Sequence, residues 1–181
     1  MTDPTAPATD VRSGERADIL AQLAFSRYFL RNTVQGITDE QARLRTTVSE
    51  LTLGGLIKHV ATVERGWVDF VLEGTSAMPD VDMSQIDEEM MRRWADGHRL
   101  LEDETLAEML AEYERVAART DDLIGTVDLD LTHELPKAPW FNPGERRSAR
   151  RVFMHLVAET SQHAGHADII REALDGQKSM G

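Results

Sequence analysis

Ser148-Ala-Arg-Arg-Val-Phe-Met-His155-Leu-Val-Ala-Glu159-Thr-Ser-Gln-His163-Ala-Gly-His166-Ala-Asp-Ile-Ile170 lies inside a long run of helical periodicity. At about 100° per residue, positions 155, 159, 163 and 166 fall within an arc of roughly 80°. Val152 and Ile170 share that arc, so the face that should pack into a core bears three imidazoles and a carboxylate. Burying such groups without partners costs several kcal/mol, and a bound metal ion satisfies them together. Three of the six histidines lie within the twelve residues from His155 to His166. Ser148 is a good N-cap, and the helix is predicted to run to Leu174 and stop at Gly176.

Working outward, three more long amphipathic helices are predicted. The first runs from Arg16 through Ile19, Leu23, Leu30 and Val34 to near Gly36. Thr38-Asp-Glu-Gln41 has the form of a capping box and starts a short turn reaching about Arg45. Thr52-Leu-Gly-Gly55 leads into the second helix, with Leu56, Val60, Val63, Trp67 and Phe70, ending at Gly74. Residues 75 to about 103 are less regular, with a short helix over Ser84 to Trp94. The third long helix starts near Thr105, on Leu106, Met109, Leu110, Tyr113, Val116 and Leu123. A loop from about Thr126 to Arg147 holds Pro136, Pro139-Trp140-Phe141 and Pro143-Gly144. No alternation of period two is present. The fold class is therefore all-α, a four-helix bundle. The connection of about 30 residues between the second and third long helices allows a crossover that leaves them parallel.

Composition narrows the function. The 181 residues suit one domain at 15–181, behind a Pro- and Thr-rich leader at 1–14 that reads as disordered. There is no cysteine, which removes disulfides and thiolate metal sites. A net charge of −12 argues against nucleic-acid or anionic-membrane partners. No apolar run reaches the length of a membrane span, and residues 1 to 10 lack the order of a secretory signal, so the chain reads as cytoplasmic. The 17 arginines against 3 lysines point to a GC-rich genome rather than a mechanism.

Spacing limits which groups can share an ion. His155 and His163 are about 12 Å apart along the axis, too far for ligands that each sit about 2 Å from one metal. His155 with Glu159, Glu159 with His163, and His163 with His166 all remain possible. A further ligand must come from another helix, and His59, on the apolar stripe of the second, is the natural candidate. A single histidine on an apolar face is more often a hydrogen-bonded core residue; the clustering is what favours metal. His98 and His133 are read as surface residues, and Trp67, Trp94 and Tyr113 as core. Trp140-Phe141 suits a plug for the bundle end or a pocket mouth. Arg146-Arg147-Arg150-Arg151 suits either of two readings: it offsets nearby acid, or, as the one basic patch able to do so, it holds an anionic substrate.

Leu53-Gly-Gly-Leu-Ile-Lys-His59-Val-Ala-Thr-Val-Glu64-Arg-Gly-Trp67 resembles the second-helix motif of the DinB/YfiT-like superfamily. Ser148-Ala-Arg150 followed by His155, Glu159, His163-Ala-Gly-His166-Ala-Asp168 and Asp175-Gly176 resembles the last helix of its actinobacterial branch. The resemblance implies an up-down-down-up bundle with a divalent metal near one end. Its motif positions fall on His59, Glu159 and His163. Glu159 departs from the commoner all-histidine set and is similar to the His-Glu-His variant of mycothiol-dependent maleylpyruvate isomerase. Characterised relatives are thiol S-transferases or a thiol-dependent isomerase. The resemblance thus implies metal-dependent transfer of a mycothiol-like thiol to an electrophilic small molecule. His166 would be a catalytic base or substrate contact, His155 a hydrogen-bonding partner one turn deeper, and Arg150 a contact for a carboxylate of the thiol or substrate. Zn²⁺ leads as the metal, with Ni²⁺ or Fe²⁺ as alternatives. Two other functions remain open: a hydrolase using metal-activated water, and a non-enzymatic stress-related module. Relatives of this kind also form homodimers.

Overall fold

The computed structural model describes residues 14–179, and the expected leader lies, except for Gly14, outside them. The elements are α1 (Glu15–Asn32), α2 (Asp39–Arg43), α3 (Leu53–Glu73), α4 (Glu88–Asp96), α5 (Leu106–Thr126), β1 (Thr132–Glu134), β2 (Arg146–Ser148) and α6 (Ala149–Asp175). Their ends follow local chemistry. Thr38 and Gln41 form the expected capping box at α2, and Thr105 with Glu108 forms another at α5. The Ser148 hydroxyl accepts from Arg151 N at the start of α6, and Gly176 ends it in the left-handed region at φ 81°. The first helix stops at Asn32, short of Gly36, although Val34 beyond it is still buried.

Helix directions follow from which residues meet. Lys58 pairs with Glu104, Arg65 with Glu112 and Asp69 with Arg119, so numbers rise together and α3 runs parallel to α5. Arg150 pairs with Glu15, Ser26 meets Ser161, and Arg171 donates to the Thr33 carbonyl, which makes α1 parallel to α6. His59 faces Glu159 whereas Trp67 faces His155, so α3 and α6 are antiparallel. The order is up-down-down-up, with the long crossover carrying α4 between α3 and α5.

Among the described residues the interior has two apolar clusters. One gathers Leu23, Trp67, Phe70, Ile124, Val152 and Phe153; the other gathers Leu30, Leu56, Val60, Tyr113, Ala164 and Ile170. Between them lies a buried polar layer. The Arg27 guanidinium reaches both carboxylate oxygens of Glu64 and also Asp121 at 2.7 Å, and Thr120 donates to Glu64 at 2.6 Å. Glu64 and Thr120 are fully buried. No helix among the described residues is long and apolar enough to cross a membrane.

Two expectations fail. Residues 132–134 and 146–148 form a small antiparallel ribbon, pairing His133 with Arg147, where the sequence reads as loop up to about Arg147 and as helix cap at Ser148. Strands of three residues are too short to show an alternation. Trp94 is 40% exposed rather than core, because α4 lies on the outside of the crossover and buries no residue.

Candidate metal centre

Antiparallel passage of α3 against α6 brings three side chains to one point. Glu159 Oε1 lies 3.3 Å from His59 Nε2 and 3.2 Å from His163 Nε2. With one ligand atom taken from each residue, a ring nitrogen from His59 and His163 and a carboxylate oxygen from Glu159, the three all lie within 4.8 Å of one another. Donors about 2 Å from a tetrahedral ion stand about 3.3 Å apart, so these residues fit a metal with little rearrangement. The side chains are 14–20% exposed, which leaves one side open to solvent. Hydrogen bonds from His163 and His59 hold the Glu159 carboxyl far below the usual carboxylate range, and nearby His163 and His155 charge adds to this. The carboxylate is therefore ionised and ready as a ligand.

The surrounding residues divide into those brought to the cluster and those kept away. His166 Nδ1 lies 3.4 Å from His163 Nδ1, one turn beyond the cluster. His155 instead packs its ring against the edge of Trp67, with centroids 5.3 Å apart, and burial lowers its pKa. It makes no side-chain hydrogen bond among the described residues, contrary to the role expected for it. Arg150 is not brought to the cluster. It is near the start of α6, paired with Glu15 and Asp130, which hold its pKa well above the ordinary value.

The basic residue nearest the aromatic wall is Arg147. Its guanidinium lies over Trp67 at 4.8 Å and Phe141 at 5.1 Å, and desolvation lowers its pKa. Phe141 packs against the core, whereas Trp140 is exposed and lines a cavity of about 290 Å³ with Val63, Trp67, Met78 and Pro136. The loop thus acts as plug and pocket wall together.

Two histidines read as surface residues have definite places. His133 Nε2 donates to the Val71 carbonyl at 3.1 Å and packs on Phe70. His98 is exposed, as the sequence reads, and one face of its ring stacks on His59, with ring centroids 4.2 Å apart and planes at 25°. Helical periodicity could not place His98, because it lies in the irregular crossover. The Gly54-Gly55 pair was the available signal, since adjacent glycines at a helix start mark close backbone approach.

A sequence model of the mycothiol-S-transferase family matches residues 18–176. No curated protein matches the chain. Four solved chains do. One, from Bacillus subtilis, is described as "YfiT from Bacillus subtilis is a probable metal-dependent hydrolase with an unusual four-helix bundle topology". It is 15% identical, covers 93% of this chain and 91% of its own, and superposes with a TM-score of 0.61. At that identity the likeness speaks for the fold alone.

Proposed function

The chain belongs to the mycothiol-S-transferase family of DinB-like four-helix bundles, and from that premise we propose that it is a metal-dependent transferase moving a mycothiol-like thiol onto an electrophilic small molecule. The observation that carries the reading is the convergence of His59, Glu159 and His163 on one half-open point. Two imidazoles and one carboxylate suit Zn²⁺ first, then Ni²⁺ or Fe²⁺. A divalent ion held by these residues would supply positive charge that lowers the pKa of a thiol bound beside it. The thiol proton would pass to solvent, sulfur would form its bond to carbon, and the broken bond's electron pair would leave with chloride or, in an epoxide, stay on the ring-opened oxygen, which takes up a proton.

The protein's own groups have distinct parts in this reading. With Nε2 turned to the ion, His163 carries its proton on Nδ1, and His166 Nδ1 accepts it at 3.4 Å. That contact fixes the His163 ring and leaves His166 Nε2 free to meet substrate. Glu159 brings its negative charge to the site already ionised. The reading places a single domain over 15–181, acting in the cytoplasm on small molecules, without nucleic acid or membrane, and allows a homodimer. The −12 charge supports the first exclusion.

The test is to load purified protein with Zn²⁺, Ni²⁺ or Fe²⁺, quantify bound metal, and follow mycothiol loss against chlorinated and epoxide electrophiles. Thiol loss that needs metal and disappears in Glu159→Gln is the expected result. Metal bound with ester or amide hydrolysis and no thiol loss would replace the transferase by a hydrolase. Metal bound without either reaction leaves a binding module. Absence of metal from the wild type would remove the site.

A further inference from the structure

A metal-binding imidazole needs its ring plane held, and the usual means is a hydrogen bond from its other nitrogen to a neighbouring group. His163 has that neighbour in His166. His59 does not: among the described residues its hydrogen bonding is Nε2 to Glu159 alone. Its ring is instead covered on one face by His98, 4.2 Å away and nearly parallel, while His163 approaches edge-on at 4.9 Å and 78°. His98 is itself fixed, because its Nδ1 donates to the Trp94 carbonyl at 2.9 Å.

The chain around His98 is pinned to the start of α3. A Cβ on Gly55 would stand 2.0 Å from the His98 carbonyl oxygen and 2.6 Å from its carbon. One on Gly54 would stand 2.9 Å from Leu100 Cβ and 3.2 Å from the Ala42 oxygen. Only glycine admits the crossover backbone this closely. Lys58 then holds it, donating to the Arg99 carbonyl at 3.3 Å and pairing with Glu104 at 2.6 Å. Glu104 in turn accepts from Leu101 N at 2.9 Å, and Arg43 donates to the Leu101 carbonyl at 3.1 Å.

We infer that His98 is a positioning residue for the metal centre: its stacked ring holds the His59 imidazole in ligating orientation, and the Gly54-Gly55 pair exists to seat it there. The inference rests on the metal-centre reading above. It assigns a purpose to the end of the crossover, which contributes no ligand of its own.

Full-length protein titrated with Co²⁺, read by visible absorption and by competition with a chelator, tests it. His98→Ala is expected to weaken Co²⁺ binding about tenfold to a hundredfold, the range seen when groups supporting a ligand are lost, and to shift the d–d bands. His98→Phe keeps a flat ring without nitrogens and should restore the wild-type bands and affinity to within about threefold, since an offset aromatic stack needs no hydrogen bond. Gly55→Ala should shift the bands in the direction of His98→Ala. Unchanged binding and bands in His98→Ala overturn the inference while leaving the metal centre intact. His98→Phe behaving like His98→Ala overturns it too, because a nitrogen rather than the stack would then be at work. A wild type that binds no Co²⁺ and no Zn²⁺ overturns the metal centre itself, and the inference with it.

Discussion

One carboxylate oxygen, Glu159 Oε1, stands between two imidazoles 100 and 4 residues away in sequence. Its charge is what a glutamine cannot supply. Glu159→Gln should therefore lower affinity for Zn²⁺ by more than about 100-fold, beyond the range typical of groups that merely support a ligand, in a chelator competition. His155 behaves differently. Burial depresses its pKa in the folded chain, so the unfolded chain binds the proton more readily. That contribution to stability is present above about pH 6.5, the ordinary value for histidine, and is lost as pH falls through the lower folded value. His155→Phe should flatten the fall in Tm on going from neutral pH to about pH 5.5, measured with metal removed. Arg150, expected to hold a carboxylate, is occupied by Glu15 and Asp130 about three turns of α6 below the cluster. Arg150→Ala should leave the KM for thiol and for electrophile unchanged in steady-state kinetics.

The elements show how far local rules reach. Thr38 with Gln41, Ser148 and Gly176 were legible as helix boundaries because a cap depends only on residues within one turn. Ser148→Ala should cost about 1 kcal/mol, seen as a drop in Tm of about 2–4 °C. The Glu159–His163 pair was legible for the same reason, as i and i+4 on one face. What sequence left hidden depends on a second element. Spacing put His59 on an apolar stripe but left several ligand pairs open, and the family motif was needed to choose among them. Trp94 reads as core by residue type, yet α4 buries none of its residues and leaves the ring 40% exposed. His98 owes its place to two glycines more than 40 residues earlier, and Arg147 owes its own to Trp67 and Phe141.

Across the whole molecule, the buried Arg27–Glu64 pair separates the two apolar clusters and ties α1, α3 and α5 together through Asp121 and Thr120. Removing one partner leaves the other charge buried and unpaired. Glu64→Gln should then destabilise the bundle by about 3–5 kcal/mol in urea denaturation, the range for a broken buried pair. Replacing Arg27 and Glu64 together by Met and Leu should cost less than that single change. The candidate ligands have a consequence on the same scale. His59 and Glu159 are 100 positions apart, so an ion joining them closes a loop over more than half the chain. Such an ion leaves when the chain unfolds, so unlike a covalent cross-link it acts through its binding equilibrium, which at 100 times its Kd stabilises the folded chain by about 2.7 kcal/mol. With an ion bound there, metal supply would set how long each copy resists proteolysis, and a cell short of the ion would lose the protein through turnover before losing it through inhibition.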